Sequence, residues 1–132
     1  EPLFLLGVAR GSERLEMRRS DIFSAIGDEV FDFIASNPPY ISAEQMTDLQ
    51  PEVVNYEPRK ALTDEEKGTS IIKRIIAGAP GYLKREGWLF LEIGQGQDAE
   101  VRKMFDPEQW NSVDVLPDLQ GIPRTIAAQL QA

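Results

Sequence analysis

The residues best suited to chemistry are Asn37-Pro38-Pro39-Tyr40. The Asn37 side-chain oxygen can accept one N–H, and the Pro38 carbonyl, in a segment short of competing donors, can accept another. Two acceptors so placed fix a planar NH2 group and aim its nitrogen at an incoming electrophile. The Tyr40 ring offers a face on which a flat amide or base can stack. An amide nitrogen is a poor nucleophile, so in-line positioning is the main service a protein can give it. The same residues also suit a plain strand-ending turn, because Asn-Pro is a common turn opener.

These residues need a rigid mount. The preceding run Phe31-Asp32-Phe33-Ile34-Ala35-Ser36 is apolar and β-prone and reads as a buried strand. Pro38 and Pro39 end it, since neither donates a ladder bond and each disfavours helical geometry in its predecessor. The motif therefore sits at a strand's carboxyl end, the edge where open α/β sheets bind ligands. Upstream, Glu1 to Arg14 reads as the tail of a helix ending near Gly7, followed by a loop through Gly11-Ser12. Leu15 to Arg18 alternates like a short strand, with Ser20-Asp21-Ile22-Phe23 at its carboxyl end. Asp21 there suits an N-cap for a turn over Phe23 to Ile26.

Downstream, Ile41 to Asp64 reads as a long irregular segment with a short helix over Ala43 to Leu49. Long loops over a strand's carboxyl end are more often functional than not. A helix is expected from Thr69 or Ser70, with Ile71, Ile72, Ile75 and Ile76 as its core stripe and Pro80-Gly81 kinking or ending it. A buried strand over Trp88 to Ile93, a helix over Ala99 to Phe105, and strands near Ser112 to Leu116 and Thr125 to Leu130 follow. This alternation specifies an α/β sheet whose last strands pair antiparallel, within one domain over 1–132.

Four stretches in order carry a resemblance. Asn37-Pro38-Pro39-Tyr40 resembles the NPPY motif of S-adenosylmethionine-dependent methyltransferases acting on planar NH2 groups. Tyr56-Glu57-Pro58-Arg59-Lys60-Ala61-Leu62, Gly87-Trp88-Leu89-Phe90-Leu91-Glu92-Ile93-Gly94, and Asp118-Leu119-Gln120-Gly121 followed by Arg124 are similar to the release-factor glutamine methyltransferases. The resemblance implies a Rossmann-like class I methyltransferase sheet, incomplete in its first strands and lacking the glycine-rich cofactor loop, which in that family precedes NPPY. It implies S-adenosylmethionine as cofactor and a peptide chain release factor as protein substrate, methylated on the glutamine amide of its Gly-Gly-Gln loop. Asn37 and Pro38 would hold the amide and Tyr40 would stack on it, with Pro39, Glu57 and Pro58 shaping the pocket. Asp21 and Ile22 would border the adenine, with Asn37 facing the methyl donor. No metal is implied. For Glu57-Pro58 a pre-proline turn is an equally good reading.

Composition narrows the partners. The 132 residues contain no cysteine and no histidine, which removes disulfides, thiol chemistry and the usual general base. No apolar run approaches the roughly 20 residues of a membrane span, and Leu3 to Ala9 lacks the basic flank of a signal peptide. The expected location is the cytoplasm. Net charge is −8, and Ile41 to Ser70 alone carries seven acids against three bases. Nucleic acid is disfavoured as a partner, and a basic protein loop would be attracted; a merely solvated acidic surface fits as well.

Gly94-Gln95-Gly96-Gln97-Asp98, with Asp114 twenty residues after Gly94, mimics a dinucleotide fingerprint but lacks its third glycine. A chain opening on Glu-Pro reads as a fragment, inactive alone. Three other readings remain open: methylation of a ribosomal-protein glutamine, methylation of a flipped DNA adenine, and a degenerate binding module without cofactor.

Overall fold

The computed structural model describes residues 4–9, 15–40 and 68–132. The first expectation to change is at the amino end. Phe4–Ala9 is a strand, β1, paired antiparallel with β2, Leu15–Ser20, in a register running from Phe4↔Ser20 to Ala9↔Leu15. No helix tail forms there. A run of six residues is marginal as a helix, and Gly7 within it weakens a helix by about 1 kcal/mol relative to Ala. Pairing with β2 satisfies one edge of its main chain instead.

The second sheet has four strands in the order β3-β4-β6-β5. They are β3 (Phe31–Ser36), β4 (Leu83–Glu92), β5 (Trp110–Pro117) and β6 (Pro123–Leu130). β3 runs parallel to β4, while β6 lies antiparallel to both β4 and β5. The expected α/β sheet with antiparallel last strands is therefore present. β4 starts earlier than its apolar run suggests, at Leu83, and a bulge opposite Phe31 to Phe33 absorbs the extra length around Glu86, whose φ is 61°.

Helix α1 (Ser70–Gly78) buries Ile72, Ile75 and Ile76 of the predicted stripe, with Ile71 partly buried at its margin, and passes through a 3-10 turn over Ala79–Gly81 that contains Pro80. Helix α2 covers Asp98–Arg102, shorter than the sequence suggests because the chain tightens into turns through Phe105. The three isoleucines, Val101 and Phe105 join Ile34, Leu89, Leu91, Ile126 and Ala128 in one core. Burying such side chains contributes about 1.5–3 kcal/mol each, enough to fix which sheet face the helices cover.

The alternation along β4 shows the consequence. Leu89 and Leu91 are inaccessible to solvent, while Trp88, Phe90 and Glu92 lie half-buried on the opposite face. β3 departs from the buried strand expected of it. Ile34 alone is buried within it, and Phe33 is 65% exposed. Among the described residues β3 pairs with β4 only, and Phe33 and Ala35, on one of its faces, are exposed.

Candidate active site at the carboxyl edge of the sheet

Because β3 and β4 run parallel, their carboxyl ends lie together, and β6 begins beside them: Glu92 pairs with Thr125, and the Ile93 N–H donates to Arg124 O at 2.9 Å. Three separated sequence motifs thus meet at one sheet edge. Pro38 and Pro39 are buried, whereas Asn37 is exposed. The Asn37 side chain makes no hydrogen bond to another described residue. It lines a cleft of 320 Å³ with Ala35, Ser36, Phe90, Glu92 and Thr125. The cleft is mostly apolar, with the Asn37 amide, the Glu92 carboxylate and the Ser36 and Thr125 hydroxyls among its lining groups, a combination suited to a small flat polar group.

Tyr40 borders this cleft without forming its wall. Its hydroxyl donates to Glu92 Oε1 at 3.0 Å. Its main-chain oxygen accepts from Gln97 Nε2 at 2.8 Å, and Gln97 Oε1 in turn accepts from the Gly94 N–H at 2.8 Å. Gly94 eases this approach, since a Cβ there would lie 2.9 Å from Gln97 Oε1 and 3.2 Å from the Tyr40 ring. The glycine turn that resembles a dinucleotide loop is therefore filled by the chain's own glutamine, which leaves its Gly94 amide no room for a phosphate.

Asp21 and Ile22 follow β2 in a turn built around Ser20. The buried Ser20 hydroxyl donates to Ile22 O at 2.8 Å and accepts from the Ala25 N–H at 3.0 Å. Ile22 adopts a φ of 53°, which turns the chain back on itself. The turn rests against the end of α1 and the residues after it: Phe23 lies over Gly78 and stacks on Tyr82, just past the 3-10 turn, with centroids 4.6 Å apart. Asp21 does not act as a side-chain cap: its Oδ2 accepts from Arg74 Nη2 at 2.9 Å, and both side chains are about half exposed. The closing motif is a hairpin turn between β5 and β6. Asp118 Oδ1 accepts from the N–H groups of Gln120 and Ile122, and Arg124 lies 3.7 Å from its other oxygen. The Ile122 amide chiefly, then that of Gln120 and the Arg124 charge, hold the Asp118 carboxyl below its usual range.

The sequence-derived candidates divide accordingly. Asn37, Pro38, Pro39 and Tyr40 form the sheet edge beside the cleft, and Asp21 with Ile22 occupies the turn packed on α1. Glu57 and Pro58, and the acidic segment around them, lie outside the described residues. Sequence reasoning missed Glu92, Thr125 and Gln97 as neighbours of the motif. Glu92 was legible as the charged residue that ends the apolar run Trp88-Leu89-Phe90-Leu91; the cross-strand placement of Thr125 carries no local signal.

No family model matches the chain. It is 44% identical over 127 residues to a release factor glutamine methyltransferase of Cereibacter sphaeroides, covering 96% of this chain and 44% of that protein. A release factor glutamine methyltransferase of Thermodesulfovibrio yellowstonii is 38% identical over 109 residues, 83% of this chain and 39% of that protein. Among solved structures, a release factor-specific protein-(glutamine-N5) methyltransferase from Alicyclobacillus acidocaldarius superposes with a TM-score of 0.50 at 28% identity, covering 78% of this chain and 50% of that one. The chain spans less than half the length of these curated relatives.

Proposed function

We propose that this chain, similar along nearly all its length to release factor glutamine methyltransferases, holds the target amide in that reaction. The reaction transfers a methyl group from S-adenosylmethionine to the side-chain amide nitrogen of the glutamine in a release factor's Gly-Gly-Gln loop. One observation carries the reading. Asn37 stands exposed at the end of β3, its amide uncommitted among the described residues, in an open cleft that a glutamine side chain can enter. Asn37 Oδ1 and the Pro38 carbonyl accept the two N–H bonds, Pro39 fixes the loop, and Tyr40 stacks at the border. The bond formed joins nitrogen to the methyl carbon, the methyl–sulfur bond breaks, and the methylated nitrogen sheds a proton to water. No side chain has to act as a strong base.

The cofactor supplies an electrophilic methyl group when bound. Asp21 fits its adenine end in chemistry: Oδ2 is taken by Arg74, and Oδ1 remains to accept an N–H, with the half-buried Ile22 beside it. Among the described residues no open glycine turn fits the amino-acid end. We infer that residues 1–132 form one catalytic portion, that Glu57 and Pro58 line its pocket, and that it works in the cytoplasm. No described helix is long and apolar enough to cross a membrane.

The test supplies labelled S-adenosylmethionine and, separately, purified release factor, ribosomal protein and unmethylated DNA to a protein carrying the full length of the relatives. Label on the release-factor glutamine is expected, and Asn37→Ala should slow transfer by about 100-fold or more, the scale seen when one oriented polar group is lost. Label on either other acceptor, or full activity in Asn37→Ala, would overturn the reading.

A further inference from the structure

We propose that Glu92 and Gln97 are positioning residues that clamp Tyr40 at two points and so set its ring at the rim of the amide cleft. The inference rests on the proposed function for its consequence, and on geometry for its existence. Glu92 grips the far end of the side chain, accepting the phenol O–H at 3.0 Å. Gln97 grips the main chain, donating to the Tyr40 carbonyl at 2.8 Å while its own oxygen is held by the Gly94 N–H. Both come from the end of β4 and the turn that follows, so the two grips move as one body. The ring also packs against the core, and the two bonds fix where its hydroxyl end and its main chain sit relative to each other, so the direction in which the side chain leaves the backbone is set.

A carboxylate at this position serves the phenol and not the amide. Among the described residues, Glu92 is the one acidic side chain lining a cleft read as taking a neutral amide. Its Oε1 is used by Tyr40, an O–H donor that gains from an ionised acceptor. Gln97 is not replaceable in kind by a simple cap, because its amide spans from the Gly94 N–H to the Tyr40 carbonyl and only a side chain with both a donor and an acceptor can do so.

Three variants test the clamp. In the 132-residue chain with 13C-labelled tyrosine, Glu92→Leu should shift and broaden the Tyr40 ring signals, whereas Glu92→Gln, which keeps an acceptor, should leave them near their original positions. In methyl transfer to release factor by a protein of the relatives' full length, Glu92→Leu should raise KM for the release factor about tenfold, the scale of losing one charge-assisted bond that orients a binding group. Glu92→Gln should restore KM to within about twofold, since a neutral acceptor retains most of the geometry. Gln97→Ala should shift the Tyr40 backbone amide and carbonyl signals. A merely structural role for Glu92 would lower the thermal midpoint and the active fraction with KM unchanged.

Unaltered Tyr40 ring signals in Glu92→Leu overturn the clamp itself. Altered signals with an unchanged KM, in a protein whose Asn37→Ala variant is inactive, overturn its role in substrate positioning. Full activity of Asn37→Ala overturns the amide-site reading and with it the functional half of the clamp, and leaves the ring signals to decide the geometric half.

Discussion

Replacing Gly68 by Ala tests how tightly the motif is held from behind. Gly68 has a φ of +79°, and a Cβ there would run into the Tyr40 carbonyl oxygen and come within 3.0 Å of Gln97 Nε2. An L side chain in left-handed geometry costs about 1–2 kcal/mol. Forcing extra atoms against main chain that cannot yield costs about 1–3 kcal/mol more. Displacing the Tyr40 carbonyl from Gln97 loses a hydrogen bond of about 1 kcal/mol. Gly121 provides the internal control, with a φ of +82° and nothing within 4 Å of its added Cβ. Gly121→Ala should show the backbone cost alone, so Gly68→Ala should exceed it by about 2–4 kcal/mol. At about 4 °C per kcal/mol for a domain of this size, the two melting temperatures should differ by about 10 °C in thermal denaturation followed by circular dichroism. Urea titration should show the same order of stability. Equal melting temperatures would show that the approach of Gly68 to Tyr40 is not a real constraint, and the reasoning would fail.

Leu89→Ala removes a side chain with no solvent exposure from the centre of the core and should destabilise the protein by about 2–5 kcal/mol in urea denaturation. Arg74→Ala breaks a pair whose side chains are 53% and 47% exposed, so it should cost less than about 1 kcal/mol, an effect that 1 M salt erases. The Asp118 carboxyl is held below its ordinary 3.8, so its contribution to stability is present above that value and fades as pH falls through the lowered one. Asp118→Asn should therefore be less stable than the wild type at pH 7, with the gap closing as melts are repeated toward pH 2. Calorimetric titration of the 132-residue chain with S-adenosylmethionine should show binding weaker than micromolar, because Gln97 fills the Gly94–Gly96 turn.

The α/β order, the isoleucine face of α1 and the antiparallel last strands were legible because each rests on periodicity within one segment. Burial of Ile72, Ile75 and Ile76 needs only helical spacing to be foreseen. The failures rest on pairing. Phe4 to Ala9 is a strand because β2 lies beside it, and no property of those six residues announces that partner. β3 reads as buried in sequence because an apolar strand looks the same whether one or both of its edges and faces are covered; Phe33 shows that one face is open. The site divides in the same way. Asn37 could be found from its own neighbours in sequence. Glu92 and Thr125 come beside it only through the β3-β4-β6 order, and Gln97 only through a turn closed by its own side chain.

The same logic explains why the motif contains two prolines. At a strand's end, a polar residue that merely follows an apolar run is free to continue the ladder, and its side chain then alternates in or out with the pleat. Pro38 and Pro39 remove two donors in succession, so the ladder stops before them. Both rings are buried, Pro38 completely, and this burial anchors the chain immediately after Asn37. The Asn37 side chain, on the last residue before the anchor, is left outward over the cleft. Tyr40, on the far side of the anchor, reaches the end of β4, where Glu92 and Gln97 wait for it. The buried prolines thus set the span between the Asn37 side chain and the Tyr40 ring, and the hydrogen bonds to Glu92 and Gln97 hold the ring at its end of that span.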